Sequence, residues 1–357
     1  MLFNNTLKYK YVVVGAGFAG LVMAERIANV LGEEVLIIEK KHHIGGATYD
    51  SYDDAGVLVG NYGPHTFHTN DKEVFDYILQ FTQWNPYIHH AKSFVDGKFV
   101  SFPINKKTIK ELYNVDLTDD ETATFIKEHE DDLVDKFFRP FTLKQWGCPR
   151  EELDQEVISR IPFRNNEDER YFTDTYQGNP IGGYTKMFMK MVSNPKIKIL
   201  LNTDYKEIID SIEYDLLIYT GPLDYYFDYS LGKLLYRSVE FYFETYDMES
   251  YQPVPSTRYP GFEEKYTRVT EFKKMTGQKI DKTTVLKEVP CFGEEPYYPY
   301  PTKKWKDLAA QYRELAAKEE KTMFLGRLAE YRYYDMDDVV RKALDDFEIV
   351  RRRHENA

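Results

Sequence analysis

Hydrophobic positions along the chain fall into three textures. Near the start, Tyr11-Val12-Val13-Val14 and Val35-Leu36-Ile37-Ile38 are continuous apolar runs, and between them Leu21 to Leu31 carries small and apolar residues on one helical face. Unbroken β-branched runs predict strands buried on both faces, hence a parallel sheet, and the order predicts one βαβ unit. From about Lys106 to Arg160, charges alternate with Leu, Ile and Phe at helical spacing, and LTDDETATFIKEHEDDLVDKFF offers Thr118 and Asp119 as N-caps, so a helical subdomain is expected. From about Tyr236 to Tyr300, segments such as VEFYFETY, YTRVTEF and TTVLKEVP lie between Pro and Gly breaks and predict antiparallel strands. Met323-Phe324-Leu325 predicts a last short strand before Gly326, after which Asp335 caps the amphipathic helix MDDVVRKALDDFEIV and the tail RRRHENA is expected to fray. Internal repeats, low-complexity tracts and long linkers are absent.

Composition narrows the class. A length of 357 residues suggests two or three domains, and a formal charge of −12 disfavours nucleic acid and anionic membranes as partners. Hydrophobic residues at 42% exclude a disordered chain. Cys148 and Cys291 lie far apart and make neither a disulfide framework nor a metal knuckle, which fits a reducing cytoplasm. No apolar run approaches the ~18–20 residues of a membrane span, and MLFNNTLKYK lacks the apolar core of a signal peptide. A soluble cytoplasmic protein is expected. His42 and His43 lack partnered ligands and read as surface residues, so no metal is expected.

The first apolar run ends in Gly15-Ala16-Gly17-Phe18-Ala19-Gly20, a GxGxxG turn between strand and helix, and the second ends in Glu39, followed by Lys40. The glycines permit a tight turn and close approach of backbone to a pyrophosphate, the helix N-terminus supplies N–H groups, and the acid suits a ribose diol. Gly45-Gly46 then makes a second glycine turn resembling the extended fingerprint of flavoproteins, and the late strand–glycine–helix element FLGRLAEYRYYDMDDVV fits closure of an FAD site through Gly326, Arg327, Tyr334, Asp335 and Met336. FAD is favoured over NAD.

Four further stretches, YGPHTFHT, FFRPFTLKQWG, YQGNPIGGYTK and GRLAEYRYYDMD, together resemble the bacterial-type UDP-galactopyranose mutase family over nearly the whole chain. The resemblance implies an α/β fold: a Rossmann-like FAD domain from 1–85, 181–225 and 305–357, a helical subdomain with a mobile loop over 106–160, and an antiparallel substrate domain from 86–105 and 226–304. It implies interconversion of pyranose and furanose forms of a nucleotide-linked sugar, by attack of reduced-flavin N5 on the anomeric carbon, in a homodimer. The default substrate is UDP-galactopyranose, with UDP-N-acetylgalactosamine or a dTDP-6-deoxysugar such as dTDP-fucopyranose as alternatives within the family. An amine-oxidase-like flavin oxidoreductase and a non-catalytic nucleotide binder are the alternatives outside it.

The same resemblance assigns residues. Arg164 and Arg268 hold the diphosphate and aid its departure, with Arg237 and Arg327 as further arginines of the site; a guanidinium fork matches phosphate oxygens. Tyr298 and Tyr333 reach the phosphates, Asp335 adds a polar contact, and Tyr176 fits the substrate pocket. Phe137, Phe141, Thr142 and Trp146 cradle the nucleobase. Phe141 stands where the family commonly has Tyr and Pro140 where Gly is common, so one hydroxyl is lost, the loop is stiffer, and thymine stays open beside uracil. His65 and His68 are placed around the reactive edge of the flavin or the sugar, His65 first, and Asn85, Phe102 and Asn105 are assigned to the flavin and sugar pocket.

Overall fold

A computed structural model describes residues 7–158 and 163–356. The apolar runs build a five-stranded sheet from β1 (Leu7–Val14), β2 (Val35–Ile38), β10 (Ile197–Leu200), β11 (Ile212–Tyr219) and β17 (Thr322–Phe324). Its order is β10-β2-β1-β11-β17 and every pair is parallel, as the unbroken apolar runs predict. Successive side chains take opposite faces. Val13, Ile37 and Ile218 pack under α1 (Phe18–Arg26), the helix Tyr184–Met191 and the C-terminal helix Met336–Glu355. Val12, Leu36 and Leu217 pack instead against Tyr205, Tyr219, Tyr225 and Tyr226, so tyrosines rather than long helices cover that face. Both faces are dry along Tyr11–Val14, Val35–Ile38 and Leu216–Tyr219, which is why these stretches are unbroken apolar runs, while Lys8, Lys10, Glu213 and Asp215 lie toward the open ends of β1 and β11.

Two smaller sheets were not anticipated: the hairpin β3 (Asp50–Tyr52) with β4 (Leu58–Gly60), and β5 (Phe67–Thr69), β9 (Tyr176–Pro180) and β6 (Trp84–Pro86) in the order β5-β9-β6. Their strands of 3 to 5 residues are too short to show a period. The third layer is a seven-stranded sheet of β7 (Ala91–Val95), β8 (Lys98–Phe102), β12 (Tyr236–Tyr246), β13 (Ser256–Arg258), β14 (Arg268–Glu271), β15 (Thr283–Cys291) and β16 (Tyr298–Pro299). One pair departs from the antiparallel expectation: β13 runs parallel to β7, because the chain leaves the sheet after β8 and re-enters it more than a hundred residues later.

α2 (Lys72–Leu79) packs against β5 and the C-terminal helix, and α3 (Lys106–Tyr113), α4 (Asp119–Glu128), α5 (Glu130–Phe137) and α6 (Arg139–Trp146) follow one another against the seven-stranded sheet. Thr118 caps α4 in a capping box with Glu121, while Asp119 is the first helical residue and faces the positive end of the dipole. The expected end of the helical region at Arg160 lies outside the described residues. Pro140 does not stiffen a loop; it sits in the first turn of α6, where a missing N–H costs nothing. The C-terminal tail does not fray before Glu355: Val350 is buried, and His354 Nδ1 lies 3.0 Å from Lys10 Nζ and 3.2 Å from the Tyr11 hydroxyl. His43 is likewise not a surface residue; it stacks on Tyr49 at 3.7 Å and its Nε2 lies 2.8 Å from the Tyr62 hydroxyl. Among the described residues, no helix is long and apolar enough to cross a membrane.

Candidate functional site

One cleft of about 1800 Å³ runs from the end of β1 to the face of the seven-stranded sheet. Pockets for a single small ligand typically occupy roughly 300–1,000 Å³, so this cleft has room for two molecules side by side.

Its first end is made of backbone. Gly15, Gly17, Phe18 and Ala19 open α1, Gly45 and Gly46 pack against them, and Gly326 closes the edge. Gly15 has φ +98°, and a Cβ there would fall 2.1 Å from Thr220 Oγ1. A Cβ on Gly46 would come 2.9 Å from the Gly17 Cα, so the two glycine turns touch through their backbones. Gly17 is different: φ is −84° and a Cβ would meet only the Gly46 Cα at 3.8 Å. Gly20 lies outside the cleft wall; a Cβ there would strike the Gly15 carbonyl oxygen at 2.1 Å, so its role is helix-to-strand packing. Glu39 is buried, and its two oxygens accept the Ala16 and Lys41 N–H groups at 2.8 Å each. A carboxylate has about four lone-pair sites, so two remain for a ribose diol. Lys40 lines the same end. A bare helix N-terminus, a glycine cradle and a seated acid fit a dinucleotide.

The middle is histidine-lined. His65 Nδ1 lies 3.1 Å from the Gly63 carbonyl oxygen, and burial, with Arg327 and Arg268 nearby, lowers its pKa to about 3. The ring is therefore neutral, Nδ1 carries the proton because its neighbour can only accept, and Nε2 is an acceptor. His68 stacks on Phe172 at 3.7 Å and its Nδ1 meets Asp174 Oδ2 at 2.9 Å. Tyr334, Asp335 and Met336 line the wall beside them; the Asp335 N–H donates to Asp338 Oδ2 at 3.0 Å at the start of the C-terminal helix.

The far end is made of side chains. Arg268 is gripped by both oxygens of Glu288, through Nε and through Nη2 at 2.7 Å. Burial pulls its pKa down, but the Glu288 charge outweighs this and raises it. Arg164 Nη1 donates to the carbonyls of Asp168, at 3.0 Å, and Arg170. Arg327 lies 5.1 Å from the Tyr298 ring, Tyr298 stacks on Tyr333 at 5.7 Å, and Trp146 stands edge-on to both. Phe141 and Thr142 line the cleft from α6.

Several expected residues stand elsewhere. Phe137 is 1% exposed, turned into the core beside Phe102 and Leu133. Tyr176 stacks on Phe75 at 4.6 Å, away from the cleft wall. Asn85 reaches the Thr276 carbonyl at 3.5 Å, and Asn105 caps α3. Phe102 is fully buried behind the wall. Arg237 does not line the cleft; it donates to the Gln145 and Lys144 carbonyls at 2.6 and 2.9 Å and holds the last turn of α6.

Comparison with known proteins decides the family. A family model described as UDP-galactopyranose mutase matches residues 136–333, and one described as an NAD(P)-binding Rossmann-like domain matches residues 13–81. A probable UDP-galactopyranose mutase of Klebsiella pneumoniae is 35% identical, covering 93% of this chain and 92% of the relative. The chain belongs to the UDP-galactopyranose mutase family. A dTDP-fucopyranose mutase of Escherichia coli is 33% identical, covering 94% and 97%. The crystal structure of a reduced UDP-galactopyranose mutase superposes with a TM-score of 0.75 at 18% identity, covering 96% and 95%, which supports the same fold.

In this family member, the cleft residues that sequence reasoning missed include Glu288, His89, Arg150 and Arg258. Glu288 had a faint signal, since it follows the buried pair Val285 and Leu286 on β15 at the inward parity of Leu286. His89 is buried, and burial first, then Arg268, lowers its pKa to about 3. Arg258 in STRYPG carried no motif at all.

Proposed function

We propose that this family member interconverts the pyranose and furanose forms of a nucleotide-diphosphate sugar, UDP-galactopyranose first, with FAD in its reduced form. The observation that supports this best is continuity: one cleft joins a dinucleotide cradle to a wall carrying Arg164, Arg268 and Arg327. When bound, reduced flavin supplies a nucleophilic ring nitrogen for the anomeric carbon. The chain's own residues do the rest. Glu39 and the glycine turns hold the dinucleotide. Arg268, fixed by Glu288, keeps Nη1 for a phosphate oxygen, where charge develops as the nucleotide departs. Trp146 offers a ring face to the base, and the stacked pair Tyr298 and Tyr333 offer hydroxyls to the phosphates. His65, neutral with Nε2 as acceptor, orients an O–H or N–H donor and does not act as an acid near pH 7. On family analogy the enzyme is a cytoplasmic homodimer.

A second reading is favoured by one pair of numbers: the dTDP-fucopyranose mutase is nearly as similar, at 33%, as the Klebsiella relative, at 35%. Phe141 at the expected nucleobase position is compatible with either base. The test is chromatography of dithionite-reduced protein with UDP-galactopyranose, UDP-N-acetylgalactosamine and dTDP-fucopyranose. An isomeric furanose peak from UDP-galactopyranose is expected. A peak from another donor alone reassigns the substrate. No peak from any, with oxygen consumed on an amine, overturns the mutase reading.

A further inference from the structure

The cations around the far end of the cleft differ in what holds them. Arg268 has Glu288, Arg164 has two carbonyls, and Arg237 has two more. Lys144 Nζ sits among three carbonyls, those of Tyr259, Gly261 and Tyr266, at 2.6 to 2.8 Å. Arg258 has none of these. It ends β13, directly opposite Arg268 across the β13–β14 ladder, and lines the cleft while only 5% exposed. Its guanidinium carbon lies 4.1 Å from the Phe102 ring centroid and 3.8 Å from that of Phe141. Its Nη1 is enclosed and has no hydrogen-bond partner, and no carboxylate lies within ion-pair distance among the described residues.

Two ring faces attract the cation but accept none of its N–H bonds, because a guanidinium donates in its own plane. A buried charge left without an acceptor is unfavourable, and burial together with the like charge of Arg268 already lowers its pKa to about 10. Arg268, Arg164, Arg237 and Lys144 each meet an acid or a carbonyl; Arg150 shares an enclosed, unpartnered Nη1, but Arg258 alone of the two stands directly across a ladder from Arg268. We propose that Arg258, held beside Phe102 and Phe141 in the cleft wall, is a substrate-binding residue that receives an anionic oxygen group of the nucleotide sugar. The inference rests on the functional reading above. Two groups carry this chemistry: the diphosphate, and a carboxylate on a hexuronic sugar.

The experiment measures Kd by fluorescence quenching for uridine, UDP, UDP-galactose and UDP-galacturonate. It compares flavin-loaded wild type with Arg258→Gln and Arg258→Lys. If the partner is the diphosphate, Arg258→Gln weakens UDP and both nucleotide sugars at least tenfold and leaves uridine unchanged. If it is a sugar carboxylate, only UDP-galacturonate weakens. Arg258→Lys keeps the charge without the planar fork, guards against loss of the fold, and weakens the same ligands by a smaller factor. Affinities equal to wild type in both variants overturn the proposal while leaving the functional reading intact. Wild type that binds neither UDP nor any nucleotide sugar overturns both.

Discussion

At one end of the cleft the chain presents backbone; at the other it presents charged side chains. The glycine end comes from turns at Gly15–Gly20 and Gly45–Gly46 and a third glycine at Gly326. Its donors are backbone N–H groups fixed by the fold, and Glu39 is seated by two of them, those of Ala16 and Lys41. At the arginine end, Arg268, Glu288, Arg258 and Trp146 arrive from β14, β15, β13 and α6. Arg268 and Glu288 there are stabilised by each other before any ligand arrives, while Arg258 has only ring faces beside it. The glycine end therefore tolerates no added atoms, whereas the arginine end tolerates no lost partner.

The largest expected effect tests the glycine end. Gly17→Val keeps an allowed φ and its Cβ meets only the Gly46 Cα, at 3.8 Å, so the fold is expected to survive while the cradle fills. Flavin content, read from visible absorbance, should fall at least about tenfold, the mark of some 1.4 kcal/mol, and turnover should fall with it. Gly20→Ala, by contrast, collides with the Gly15 carbonyl and should lower the melting temperature first. Stoichiometric flavin in Gly17→Val would show that the cradle is misassigned.

Next comes the arginine end. Arg268→Met leaves Glu288, 5% exposed, as an uncompensated buried charge, which costs roughly 3–5 kcal/mol. With the diphosphate role proposed for Arg268, kcat/KM should fall by about a hundredfold as well. The double variant Arg268→Met/Glu288→Gln separates the two: stability returns, activity does not. Recovery of activity in the double variant would sink the diphosphate role.

This contrast explains what was legible in the sequence. The cradle could be read because its parts are short contiguous motifs whose chemistry is carried by the backbone. The parallel sheet could be read because strands buried on both faces leave unbroken apolar runs. The placement of Phe137 could not, since neighbouring aromatics at 137, 138 and 141 differ only in helical phase: Phe137 ends α5 facing the core, and Phe141 faces the cleft from α6. Arg237 carried the residue type of a phosphate ligand but spends its donors on α6. Arg258 was invisible because its meaning lies in lacking a partner, and a sequence does not show which charges go unpaired.

Arg237 gives a smaller effect that sharpens the same contrast. Arg237→Met frees the Gln145 and Lys144 carbonyls without touching the cleft. Stability should drop by about 1–3 kcal/mol, and KM should rise more than kcat falls, because α6 carries Phe141, Thr142 and Trp146. A fall in kcat alone would mean that Arg237 acts on the reaction directly.

The smallest effect concerns the histidines between the two ends. Unfolded, His65 and His89 take a proton near 6.5; folded, burial holds both neutral down to about 3. Between those values the unfolded chain binds more protons, so stability is full above pH 6.5 and is lost as pH falls. Each histidine contributes a slope of up to about 1.4 kcal/mol per pH unit. Carboxylates titrate in the same window, so the informative quantity is the difference between wild type and a variant. His65→Asn, followed by urea unfolding from pH 4 to 7, should flatten the slope by one histidine's share, and His89→Gln should do the same. Parallel slopes in wild type and His65→Asn would mean that the ring is protonated in the fold, and with it would go the reading of Nε2 as an acceptor facing the cleft.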